Sequence, residues 1–143
     1  MSKHIWFQDS SIEFASRMIP NTMAGFMGIE ITEVGDDFIV GSMPVSQKVV
    51  QPMGLVHGGA NVALAETVGS IGANLILDRS KKVAVGQEIN ANHVRGINKG
   101  VVHCVARPAY IGRTSQVWDI RIHDDRDRLS CISRLTMAVI DRP

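Results

Sequence analysis

Between residues 51 and 74 the chain reads QPMGLVHGGANVALAETVGSIGAN, and this stretch limits what the rest can fold into. It opens on Gln51 and Pro52, reaches His57, Gly58 and Gly59, then sets Val62, Leu64, Ala65, Val68 and Ile71 at helical spacing with small residues between them. A helix that is apolar nearly all round belongs inside a domain. Glu66 nevertheless sits near its centre. The positions three and four residues away, Val62, Ala63, Gly69 and Ser70, offer no Lys or Arg to pair with it. From residue 54 to residue 77 it is the only charged side chain, with His57 the only other titratable one, which argues against a solvated face. A buried, unpaired carboxylate is costly unless something uses it, so Glu66 is read as functional.

The rest of the composition narrows the class. A chain of 143 residues, 45% hydrophobic and 20% charged, has the length and apolar content for one domain over 1–143, with residues 1–27 as an amino-terminal helical segment packing on it. A formal charge of +1, with no Lys/Arg run longer than Lys81 and Lys82, leaves no footprint for nucleic acid. The opening MSKHIWFQDS lacks the apolar core of a signal peptide, and no apolar run approaches the roughly 20 residues of a membrane span, so a soluble cytoplasmic protein without a membrane partner is expected. Cys104 and Cys131 match no CxxC spacing and read as buried free thiols. The five histidines, His4, His57, His93, His103 and His123, form no HExxH or other ligand-spaced cluster, which argues against a metal.

Taken in order, residues 10–19 place Ile12, Phe14, Ala15, Met18 and Ile19 at helical spacing, with Asp9 or Ser10 as the cap, Glu13 completing a capping box, and Pro20 as the stop. From Gly28 the period changes. Ile29, Ile31 and Val34, then Phe38, Val40 and Met43, flank Gly35-Asp36-Asp37 as a hairpin. After the central helix a polar turn at 78–82 leads into four extended runs, 83–95, 100–111, 115–123 and 128–140. The short turns between them predict an antiparallel meander, and Pro108 belongs at an edge or a bulge. The first run puts Val83, Val85, Gln87, Ile89, Ala91, His93 and Arg95 on one side. The sum is an α+β domain in which a twisted antiparallel sheet of about six strands curls round one long helix. The helix face left open needs a partner, which makes a two-fold homo-oligomer the economical solution.

The motif Gln51-Pro-x-Gly-x-x-His57-Gly58-Gly59, followed by Ala65-Glu66 and Gly69-Ser70, resembles that of hotdog-fold acyl-CoA thioesterases of the 4-hydroxybenzoyl-CoA thioesterase type. The downstream run Glu88-Ile-Asn-Ala-Asn-His93-Val-Arg95 is similar to the subgroup acting on 1,4-dihydroxy-2-naphthoyl-CoA and related aryl-CoA esters. Together these cover residues 23–139. The resemblance implies hydrolysis of an acyl- or aryl-CoA without a cofactor, in the setting of menaquinone-type quinone synthesis or of broad proofreading, by a dimer or dimer of dimers.

The resemblance also implies roles. Glu66 is the catalytic carboxylate, acting as a nucleophile on the thioester carbonyl or as the base for a water. The Gly58 amide, at the positive end of the helix, polarises the carbonyl oxygen. Gln51 reaches the reacting carbonyl or its water, and His57 orients substrate or fixes the loop. Ser70, one turn after Glu66 on the same face, holds a water, or else bonds back to the Glu66 carbonyl. The coenzyme A half lies along Gly86, His93, Val94, Arg95 and Gly96, and along the turn Tyr110, Ile111, Gly112, Arg113, Thr114 and Ser115. In this family the active site spans a subunit interface, so Gln51 and Glu66 can come from different chains. Met53, where an aromatic is frequent, and the charged connection at 78–82 depart from the closest pattern. Two other classes fit these residues less well. An acyl-CoA sensor would have no use for an unpaired carboxylate, and a hotdog dehydratase would need a His/Asp pair that the early catalytic segment lacks.

Overall fold

In the computed structural model, which describes residues 3–143, a six-stranded antiparallel sheet curls round one long helix, the hotdog arrangement of an α+β fold. Residues 1 and 2, the start of the amino-terminal segment, lie outside the described residues. In chain order come α1 (Ile12–Ser16), α2 (Met23–Phe26), β1 (Glu30–Val34), β2 (Ile39–Pro44), α3 (Gly58–Ile76), β3 (Lys82–His93), β4 (Val101–Ile111), β5 (Ser115–His123) and β6 (Leu129–Asp141). The sheet order is β1-β2-β4-β5-β6-β3, and α3 packs on all strands from β2 to β6. The small residues of α3 allow this close wrapping. A Cβ at Gly69 would stand 2.7 Å from Leu135, and one at Gly72 2.8 Å from Trp118.

Four register shifts bend the sheet, at Ile31/Glu33, Gly86/Glu88, Pro108/Tyr110 and Ile122/His123. Pro108 accordingly lies at a bulge inside the sheet. The amino-terminal segment closes the open end of the barrel-like wrap. Trp6 stacks on Trp118 with ring centroids 6.5 Å apart and donates its Nε1–H to the Gly35 carbonyl, while Gln8 caps the end of α3 through the Leu75 and Leu77 carbonyls.

The structure corrects four expectations. The first helix is shorter than residues 10–19, and its cap is Ser11, whose Oγ accepts from Phe14 N–H, so the Ser10/Glu13 capping box does not form. Three-residue bonds, Arg17 N–H to Phe14 O and Ile19 N–H to Ser16 O, finish that segment and still bury Ile19. α2, capped by Thr22, adds a second short helix to the amino-terminal helical segment. The meander holds only for β4, β5 and β6. β3 pairs with β6 instead of β4, because the chain after it crosses the start of α3, where Ile97 is buried and accepts from Val56 N–H. Finally, the alternation along β3 does not run unbroken. Ala84 is buried while Val85 is exposed, and beyond the bulge at Gln87 it is Ile89 and Ala91 that pack against the core.

Candidate active site

Helix α3 begins where Gly58 follows His57, and the bonding at this end is selective. His57 is the cap, its Nδ1 accepting from Gly59 N–H at 2.8 Å, and its carbonyl takes the N–H groups of Ala60 and Asn61. Gly58 N–H is left as the one donor of this turn without a partner among the described residues. It points out of the positive end of a helix 19 residues long, where partial charge and open donor together attract an oxygen that gains negative charge. The imidazole of His93, at the end of β3, stands beside it, since a Cβ on Gly58 would lie 2.9 Å from His93 Nε2. Gln51 sits in the tight turn before the helix, its Oε1 accepting from Met53 N–H, so its Nε2 remains free to donate. Gln51, Gly58, Asn61, His93, Arg95 and Gly96 line a cleft of about 230 Å³.

Glu66 lies two turns further along on a half-exposed stripe of α3 formed by Val62, Ala63, Glu66, Thr67 and Ser70. The expected burial of Glu66 therefore does not hold: the helix is covered on most sides and open along this one, and among the described residues no Lys or Arg pairs with Glu66. Its carboxylate rests on Gly86 of β3, where any side-chain carbon would collide with Oε2. Strand and helix are fastened at this level by Asn74. Its Nδ2 donates to Ala84 O at 3.1 Å and its Oδ1 accepts from Ala84 N–H at 3.0 Å. Ser70 makes no back-bond through its hydroxyl. It opens with Thr67, Met18, Met23 and Ile71 onto a cleft of about 290 Å³ beside α2, and no sequence pattern marks Met23 as a neighbour of Ser70.

The other sequence-derived positions fall into two groups. His93, Arg95 and Gly96 join Gly58 in its cleft, with the backbone of 94–95 bonded to Ser130 O and the Ser130 hydroxyl donating to Arg95 O. Val94 points outward, 56% exposed. The turn from Tyr110 through Ile111, Gly112, Arg113 and Thr114 to Ser115 lies at the opposite end of the sheet, joined by Thr114 O to Val139 N–H, and meets neither cleft. One chain does not bring the two segments together.

Nor does it bring Gly58 and Glu66 onto one carbonyl. Eight residues of α3 separate them, about 12 Å of helix rise. A carbonyl held by one and attacked by the other spans roughly 7 Å, and the contacts with His93 and Gly86 mark well-separated levels of β3.

No helix of the described residues is long and apolar enough to cross a membrane, and no group of three metal-ligating side chains occurs among them. An unpaired carboxylate and an open helix amide on this scaffold form the chemistry of a hotdog thioester hydrolase. The chain belongs to the thioesterase superfamily, whose model matches residues 53–131. It is 44% identical to the 1,4-dihydroxy-2-naphthoyl-CoA hydrolase of Escherichia coli over 95% of this chain and 99% of that protein. To a proofreading thioesterase, EntH of Cronobacter turicensis, it is 42% identical over 95% of this chain and 98% of that one. A thioesterase from Pseudomonas aeruginosa, solved as a mutant, superposes with a TM-score of 0.94 at 43% identity, covering 96% of this chain and 99% of that chain.

Proposed function

We propose that the protein hydrolyses acyl- and aryl-coenzyme A thioesters to the free acid and coenzyme A, without a cofactor, in a site completed by a second copy of the chain. The observation that carries this is the pairing of an unpartnered Gly58 N–H at the start of α3 with a Glu66 carboxylate that no cation neutralises. The carbonyl oxygen accepts from Gly58 N–H, and the Gln51 amide donates to it or to the attacking water. Glu66 then acts by one of two routes. Its carboxylate adds to the carbonyl carbon, the C–S bond breaks, coenzyme A leaves as the thiolate, and water opens the mixed anhydride. Alternatively it takes a proton from a water that adds to the same carbon, with the same leaving group. Ser70, with a free hydroxyl one turn away, holds that water, and His57 acts by fixing the helix start.

The separation of Gly58 from Glu66 within one chain supports a two-fold site in which one copy supplies Gly58 and Gln51 and its partner supplies Glu66. The long free edge of β3, from Lys82 to His93, is the surface available for such pairing. The same pairing lets the His93–Gly96 segment of one copy and the Tyr110–Ser115 turn of another line one coenzyme A path, in a dimer or dimer of dimers. The relative named a 1,4-dihydroxy-2-naphthoyl-CoA hydrolase supports an aromatic acyl group, and a place in menaquinone-type quinone synthesis in the cytoplasm is our reading of that acyl group. The proofreading relative supports a broader acyl range as the second reading.

The test is a hydrolysis panel of aryl-, short- and long-chain acyl-CoA with the wild type and Glu66→Gln. A drop of about 10² to 10⁴ in kcat for the variant is expected. Equal turnover by both proteins sinks the assignment of Glu66, and wild-type binding without turnover on every substrate replaces the enzyme with a sensor.

A further inference from the structure

Asn61 has no part in the roles assigned so far. It lies one turn beyond Gly58, is only 4% exposed, and its Oδ1 is buried without a hydrogen-bond partner. Its Nδ2 makes no hydrogen bond to protein among the described residues and, unlike Oδ1, is not itself among the buried unpaired atoms. Asn74 on the same helix shows what an asparagine does here when it serves the fold: both ends of its amide are committed, to Ser70 O and to the backbone of Ala84. A buried amide oxygen left without a partner is exceptional, because buried polar groups are paired as a rule. Asn61 also lines the cleft that begins at the open Gly58 N–H, opposite Gln51, His93 and Arg95.

A carboxamide both donates and accepts, and a half-turn about its last torsion exchanges the end that faces the cleft. The group it complements best is another amide. On the reading that Gly58 N–H holds the thioester oxygen, Asn61 stands three residues, about 4.5 Å of helix rise, along α3 from it. In a coenzyme A-type thioester the first amide of the thiol arm lies two methylenes beyond the sulfur. We propose that Asn61 is a specificity residue that pairs with this amide, so that the cleft selects thiol arms carrying one and rejects those without it. The inference rests on the thioesterase reading of the Gly58 site and adds to it the side chain that reads the leaving group.

The experiment compares two esters of the best acyl group from the panel, one of N-acetylcysteamine and one of 2-methoxyethanethiol, which has similar reach and no amide. Wild type is expected to favour the amide ester by about tenfold in kcat/KM, the scale of one hydrogen bond. Asn61→Ala and the near-isosteric, apolar Asn61→Leu should bring the ratio to about one by slowing only the amide ester. If the alanine variant fails to fold, the leucine variant carries the comparison. Equal losses on both esters, or a wild type without preference, overturn the role of Asn61 and leave the thioesterase reading standing. A wild type that turns over neither these esters nor any acyl-CoA overturns both.

Discussion

Gly86 and His93 both face α3 although seven residues of one strand separate them, an odd number that would set them on opposite faces of an unbroken strand. The extra residue at the Gly86/Glu88 register shift restores the phase. Through that bulge a single strand supports both halves of the candidate site, giving Glu66 a place to rest at one level and Gly58 a neighbour at the other.

Gly86→Ala places a methyl group where Glu66 Oε2 now stands. The flexible carboxylate yields more readily than the strand, so the cost falls on catalysis. A fall of about 100-fold in kcat is expected from a displaced catalytic group, with a Tm within roughly 2 °C of wild type. Steady-state kinetics and thermal unfolding on the same preparation check both.

Gly58→Ala keeps the N–H but crowds His93 Nε2 at 2.9 Å. The donor is shifted and not deleted, so kcat/KM should drop about tenfold, less than the 10² to 10³ of a lost oxyanion donor. Combining it with His93→Ala makes room for the methyl group. The double variant should then match His93→Ala alone within about threefold, and a full additive loss would show that His93 is not the obstacle.

Asn74→Ala strips both hydrogen bonds from the backbone of Ala84, which is buried. Leaving those groups unpaired should cost about 2–4 kcal/mol and lower Tm by roughly 8–15 °C. Calorimetry gives the answer directly.

Cys104 and Cys131 are buried, and burial pushes both thiols above their ordinary range. Each is aligned with Ile122, on either side of β5, so about 9.5 Å of sheet separates them, beyond disulfide reach. Neither should react with a thiol reagent in the native protein, and both should react once it is unfolded.

The hydrogen bond from His103 to Asp125, followed by that from Val101 N–H, holds the Asp125 carboxyl below its ordinary value. Hydrogen bonds from Ser80, Arg128 and Lys82 do the same for Asp78, Asp124 and Asp141. Depressed carboxyls add stability above their unfolded value near 3.9 and lose it as the pH falls through their folded values. Denaturant midpoints should therefore decline below about pH 4, and Asp125→Asn should make that decline shallower.

Much of this molecule is legible in its sequence. The run from Gln51 to Asn74 already specifies a helix that must be wrapped, and Glu66 stands out because no residue within a turn can neutralise it. Gly58 follows from the same residues, since an N-terminal turn always leaves donors over, whereas the half-exposed stripe that carries Glu66 does not. Which donor stays open was decided by the side chain of His57 turning onto Gly59 N–H. Asn61 was in plain view but passes for one more small residue among alanines and glycines, because only burial without a partner distinguishes it from Asn74. The order of the strands and the bulge in β3 could not be read either. Alternation in a sequence records which residues are apolar, whereas neighbours and register are settled by how far the crossing at 94–100 must travel and by the curvature needed to close round α3. Sequence thus determined the chemistry carried by the helix, through residue type and 3.6-residue spacing. Only the tertiary structure decided that His93 stands beside Gly58 and that Gly86 lies under Glu66, because that is a matter of strand register and distance through space.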